Sequence, residues 1–213
     1  MRRVDVGGAL SCRWQERGEG RGFGLLETVV AIGVIMTGLF AVFTLVLSNQ
    51  RTIDAARLRF GGTQAAREGV EVVRLIRDSN WLAGRAWDDG IIEGTTYAAL
   101  PVFDPDAGWS LDAEQWTLED ERAVITRSPD GFWAHPASAV VPGTATPYRR
   151  IVTMYPICAL PTGERKTLTA HGETCDETAG GERIGAHVAA MVRWNHGGSV
   201  QDVTVEEEMY DWR

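Results

Sequence analysis

The chain has 213 residues, 44% of them hydrophobic and 23% charged, which excludes a disordered polymer and allows one ordinary domain plus an appendage. Its formal net charge of −8 argues against a nucleic-acid binder, which carries a basic excess or stripe. The charge is unevenly divided: residues 1–22 hold five arginines and three acids, leaving 16 basic and 26 acidic residues for the rest. A basic head, an apolar segment and then an acidic body is the asymmetry of a membrane topology.

Residues 23–47 contain one charge, Glu27. As a helix this run covers roughly 37 Å, enough to cross a ~30 Å hydrocarbon core with some tilt, whereas a buried core helix has a shorter apolar run. The arginines before it keep the N-terminus cytoplasmic and send the body outward. The following "SNQRTIDAARLRF" has no small-residue cleavage site of the secretory kind. Glu27 is the anomaly. An acid at the centre of a membrane helix costs about 2.5–3.5 kcal/mol, less near an end, and normally has a partner. None lies within the same segment.

The residues Gly22-Phe23-Gly24-Leu25-Leu26-Glu27 resemble the processing motif of type IV pilins and pseudopilins. That resemblance implies that a prepilin peptidase cuts after Gly22 and methylates the new amino terminus at Phe23. It also implies a partner for Glu27: the α-amino group of Phe23 on a neighbouring subunit, which is mostly charged at neutral pH. The chain then divides into a leader (1–22), a transmembrane and filament-core helix (23–47), an amphipathic continuation (48–82) and an extracytoplasmic α+β head (83–213).

Past the apolar run, Ile53, Ala56, Phe60, Thr63, Ala66, Val70, Val73 and Ile76 recur at three- and four-residue steps, one face of a helix. Arg57, Arg67, Glu71, Arg74 and Arg77 are expected on the remainder. A helix from Phe23 to Asp78 would span roughly 84 Å. Gly33, Gly38 and the Gly61-Gly62 pair are weak points in it, each costing about 1 kcal/mol relative to alanine. For Gly33 and Gly38 the readings are close helix packing in the membrane or local melting on assembly. "RDSNW" (77–81) is expected to end the helix, and "DDG" (88–90) reads as a turn.

In the body, "YRRIVTMYPI" (148–157), "AHVAAMVRW" (186–194) and "VQDVTVEEEMYDW" (200–212) read as strands, the last two joined by the hairpin signal "NHGGS". Three antiparallel strands are expected to pack on the outer half of the long helix. "GTTYAAL", "QWTL" and "RAVI" between 94 and 125 read as further short strands. "EEE" (206–208) places Glu206 and Glu208 on one face, the solvated one. With Cys12 in the leader, Cys158 and Cys175 form an even pair suited to an oxidising compartment. A bridge between them would contribute roughly 3 kcal/mol, with two unrelated thiols as the alternative.

Catalytic readings do badly. His135, His171, His187 and His196 are scattered, and no G-x-S-x-G motif occurs. "HGETCDE" (171–177) reads as a polar loop and not a metal site, and "DPDAG" (104–108) as a turn and not a calcium loop. The expectation is a non-enzymatic filament subunit without metal or cofactor, a minor pilin or pseudopilin. Pilus, secretion and DNA-uptake machineries are all left open. The implied partners are other pilin subunits, the prepilin peptidase, the inner-membrane platform and, indirectly, its ATPase. The rival from another class is an uncleaved membrane-anchored binding domain or enzyme.

Overall fold

The computed structural model describes residues 24–92, 98–104, 106–114, 116–128, 131, 133–135, 143–169, 173–175 and 181–211. It has one long helix, α1 (Leu25–Leu82), followed by eight strands. The chain divides into two compact units, with the boundary between Gln50 and Arg51 inside α1.

In the first unit every described residue is exposed, including Leu25, Leu39, Phe40 and Phe43. The helix carries an apolar window of mean hydropathy 2.6, none of it buried, and is long and apolar enough to cross a membrane.

The second unit is α+β. Its axis is β5 (Thr144–Ala159), a strand of 16 residues. One edge of β5 pairs along most of its length with β7 (Glu182–His196), which in turn pairs with β8 (Ser199–Tyr210). The other pairings of β5 are with three short strands: β3 (Val124–Arg127), β1 (Ala98–Asp104) and β6 (Arg165–Thr167). Hairpin partners extend two of these, β2 (Gly108–Asp112) on β1 and β4 (Trp133–Ala134) on β3. All strand pairs are antiparallel. The expected strands at 148–157 and 186–194 are present within β5 and β7, and the one at 200–212 is present as β8 up to Tyr210, with Trp212 outside the described residues. "QWTL" is not a strand, and "RAVI" is split between a 3-10 turn (Glu121–Ala123) and β3.

Period-2 alternation builds the sheet's core face. Val152 and Met154 of β5, Val188, Ala190 and Val192 of β7, and Met209 of β8 join one cluster with Ala65, Ala66, Val70 and Val73 of α1. Two corrections apply to the helix. Ile53, Ala56 and Phe60 are exposed, so the apolar stripe is buried only from Gly62 onward. Arg77, expected on the polar face, is 8% exposed; it pairs with Asp78 at 2.9 Å and lies over the Trp81 ring at 4.6 Å.

α1 also runs past Asp78. It ends at Leu82 because Gly84 is the first residue able to take the left-handed turn (φ +71°). Gly84 N–H donates to the Trp81 carbonyl and Arg85 N–H to that of Asn80, closing the last turn. The buried Asn80 then holds the "DDG" turn, donating to the carbonyls of Trp87 (3.2 Å) and Asp89 (2.7 Å).

Candidate functional site

Gly22 and Phe23 lie outside the described residues. Glu27 stands in the first turn of α1, exposed, its backbone N–H bonded to the Gly24 carbonyl at 2.9 Å. Among the described residues no basic group lies within ion-pair distance of its carboxylate. A Cβ at Gly33 or Gly38 would meet nothing within 4 Å. The carboxylate therefore has no cation, and the apolar face no cover, among the described residues of this chain.

The head is held to α1 by close approach. A Cβ at Gly61 would come within 2.3 Å of the Tyr148 hydroxyl, and one at Gly62 within 2.7 Å of Trp194. What reads as a helix-weakening pair is thus the place where two aromatics rest on bare backbone. The Tyr148 hydroxyl donates to the Leu58 carbonyl at 3.0 Å, and its ring stacks on Trp133 with centroids 5.6 Å apart. Further along, Gly69 makes room for Ala190, Val152 and the Arg150 stem, each 3.2 Å from where a Cβ would stand. Near the outer end, Arg74 pairs with Glu207 of β8 and with Glu71.

Arg150 is the residue that sequence reasoning missed. It is fully buried, and its Nη1 donates to the Ala65 carbonyl at 2.8 Å. Its Nε donates to His135 Nε2 at 3.3 Å, while Nη2 has no partner among the described residues. An arginine can only donate, so His135 Nε2 accepts; the ring proton is on Nδ1, which donates to the Arg122 carbonyl at 3.0 Å. Burial, reinforced by the Arg150 charge, pushes the His135 pKa down to about 3. Burial likewise lowers that of Arg150 to about 10, with Glu68 opposing. Glu68 is shifted up by burial, partly offset by Arg150. Among the described residues no carboxylate lies within 4 Å of this cation, which makes it expensive to bury, and the neutral histidine supplies part of its lost solvation. One signal was legible: Arg150 alternates with Val152 and Met154, so in a strand it must share their face.

At the opposite end of β5, Cys158 and Cys175 form a disulfide with a Cα–Cα distance of 5.6 Å, packed against the buried Leu168. His171 lies outside the described residues. Asp104 accepts from the N–H groups of Asp106 and Ala107 at 2.8 and 2.9 Å, and these bonds hold its carboxyl below the usual range. That is a hairpin turn closed by Gly108 at φ +84°. Among the described residues no group of three or more His, Cys, Asp or Glu side chains is placed to hold a metal ion.

No family model, curated protein or solved structure matches the chain.

Proposed function

We propose that this chain is a minor pilin-like subunit: a single-pass membrane protein cut after Gly22 and built into an extracytoplasmic filament through the helix that begins at Phe23. One observation carries the reading. A lone acid, Glu27, sits in the first turn of an exposed apolar helix, five residues after the glycine of a Gly-Phe pair. Such an acid needs a cation from outside its own segment. Cleavage at Gly22 creates one at the α-amino group of Phe23, and assembly brings a neighbour's copy to Glu27. The head stays outside and sets the surface chemistry of the filament.

The test of processing is the mass of the mature chain. Co-expression with a prepilin peptidase is expected to remove 22 residues and leave N-methylated Phe23, and Gly22→Val to block both. Normal cleavage of that variant would sink the reading. The assembly role of Glu27 is separable. Removing one member of a buried ion pair costs about 3–5 kcal/mol. Glu27→Val is therefore expected to be cut normally yet to enter sheared filaments poorly, with Glu27→Asp intermediate. Equal partition of Glu27→Val and wild type into filaments would exclude the inter-subunit pair.

A further inference from the structure

Among the described residues, the outer edge of β8 from Asp202 to Glu208 is an open hydrogen-bonding row. β8 runs 12 residues, pairs only with β7 among the described residues, and keeps one unbroken register from Ser199 to Tyr210. The hairpin fixes which backbone groups face which way. A two-residue turn, Gly197-Gly198 at φ +59° and +82°, makes His196 and Ser199 the closing pair. At the far end Asp211 N–H donates to the Ile184 carbonyl at 3.0 Å. Antiparallel alternation then turns the odd-numbered residues of β8 toward β7. The N–H and C=O groups of Asp202, Thr204, Glu206 and Glu208 point away from the sheet, while before them the Val200 carbonyl accepts from the Gln201 side-chain amide at 3.1 Å.

Edges of this kind are usually blunted by proline, lysine, a bulge or shortness. β8 has none of these; what protects it is charge, with Asp202, Glu206 and Glu208 on one face and Glu207 turned toward α1, which repels another acidic edge and leaves a basic strand as the compatible partner. The charged side chains of β8 are all acidic, and Asp202, Glu206 and Glu208 lie exposed on the face away from α1. The basic groups around β8 are engaged: Arg74 with Glu207 on the α1 side, Arg193 with Glu119 at 3.0 Å, and Arg165 with the Tyr210 hydroxyl at 3.2 Å. His187 stands 3.8 Å from Glu206, and Tyr210 donates to Glu208. A second copy is a poor occupant. Antiparallel pairing of two β8 edges gathers six carboxylates along one ladder, where like charges opposed across the strands repel, and parallel pairing is the less stable arrangement and again joins two edges whose charges are all acidic.

We propose that the β8 edge is a docking site for an extended basic segment of a different protein, added as a strand with lysine or arginine at alternate positions. The backbone row supplies the ladder, and Asp202, Glu206 and Glu208 select the side chains. This lies in the head and holds whether or not residues 1–22 are removed.

The experiment uses the full chain in detergent micelles and a nine-residue capped peptide alternating threonine and lysine. Two control peptides are the threonine–glutamate counterpart and the lysine peptide N-methylated at every second residue, which cannot form the ladder. The expected result is saturable binding of the lysine peptide alone, with slowed amide exchange at Asp202, Thr204, Glu206 and Glu208. Thr204→Pro deletes one outward N–H without touching charge, at a position where an edge strand tolerates proline. It should weaken binding about tenfold. Glu206→Lys/Glu208→Lys should reverse the preference towards the glutamate peptide. Equal binding of the N-methylated peptide would show a loose ionic association and overturn the proposal. So would unchanged exchange at those amides, or no binding at millimolar peptide.

Discussion

α1 is one helix with two sequence styles. Between Leu25 and Gln50 the large apolar residues are exposed, while beyond Arg51 the helix comes closest to the sheet at small residues, Gly61, Gly62 and Gly69, and buries Ala65, Ala66, Val70 and Val73 beside them. Hydrophobicity alone would rank the first half as the better core. Yet none of its described residues is buried; the buried half is chosen by how closely a backbone can approach a sheet. Apolar area drives burial roughly in proportion to its size, but only where a partner surface exists. A glycine in the two halves therefore has opposite value: free in one, irreplaceable in the other.

The contrast can be broken in four ways. The largest effect is expected from Cys158→Ala/Cys175→Ala, since only the head is stapled. Opening a bridge of sequence separation 17 should cost about 3 kcal/mol. Tryptophan fluorescence during denaturation reads the head selectively, because residues 25–50 contain no tryptophan. Helicity of the apolar half in micelles should not change.

Next is a matched pair of glycine substitutions. Gly69→Val must displace Ala190, Val152 and the Arg150 stem, all 3.2 Å from the new Cβ. Overpacking of that kind costs about 1–3 kcal/mol. Gly38→Val meets nothing within 4 Å and should leave the same head unfolding curve unmoved. If both variants shift the curve alike, the two halves do not differ in the way described.

The third uses pH. His135 is held neutral down to about 3, against an ordinary value of 6.5. The unfolded chain takes up a proton below 6.5 that the folded head refuses, so stability from this group is full above 6.5 and lost as pH falls towards 3. The slope approaches about 1.4 kcal/mol per pH unit within that window. Glu68, whose carboxyl is raised, acts with the opposite sign at the acid end. His135→Gln keeps an acceptor for Arg150 without a titrating ring, and should flatten the difference between pH 6 and 5. A wild-type slope that survives this substitution would place the acid sensitivity elsewhere.

The smallest effect is expected at Arg74→Ala. Its ion pairs with Glu71 and Glu207 are at least a third open to solvent on the acid side. Exposed pairs of this sort contribute less than about 1 kcal/mol, and salt should erase most of it. A cost above 2 kcal/mol would make Arg74 a clamp comparable with the glycine contacts.

How far the sequence reaches depends on the range of the interaction. The helix, the hairpin at Gly197-Gly198 and the three long strands are encoded by neighbours within one or two turns or within a period of two, so a short window reads them. The boundary of the helix at Gly84, and not in "RDSNW", turned on which residue could adopt a positive φ, and the pattern of polar residues did not weigh that. "QWTL" looks β-prone locally, yet Trp116 instead donates its ring N–H to the Asp112 carbonyl at 3.1 Å and stacks with Arg122, leaving no ladder partner.

By itself the sequence determined an apolar helix long enough to cross a membrane, with one acid near its start, an amphipathic continuation, and an acidic α+β body. These follow from composition and periodicity, which no fold can rearrange. Tertiary structure alone decided that Gly61, Gly62 and Gly69 are contact points, that a neutral histidine is the partner of the buried Arg150, and that β8 pairs only with β7 among the described residues. The contacts responsible join residues far apart in the chain, 85 positions between Arg150 and Ala65 and 90 between Tyr148 and Leu58. Closing loops of that length costs entropy that only the whole core repays, so no local segment carries the information.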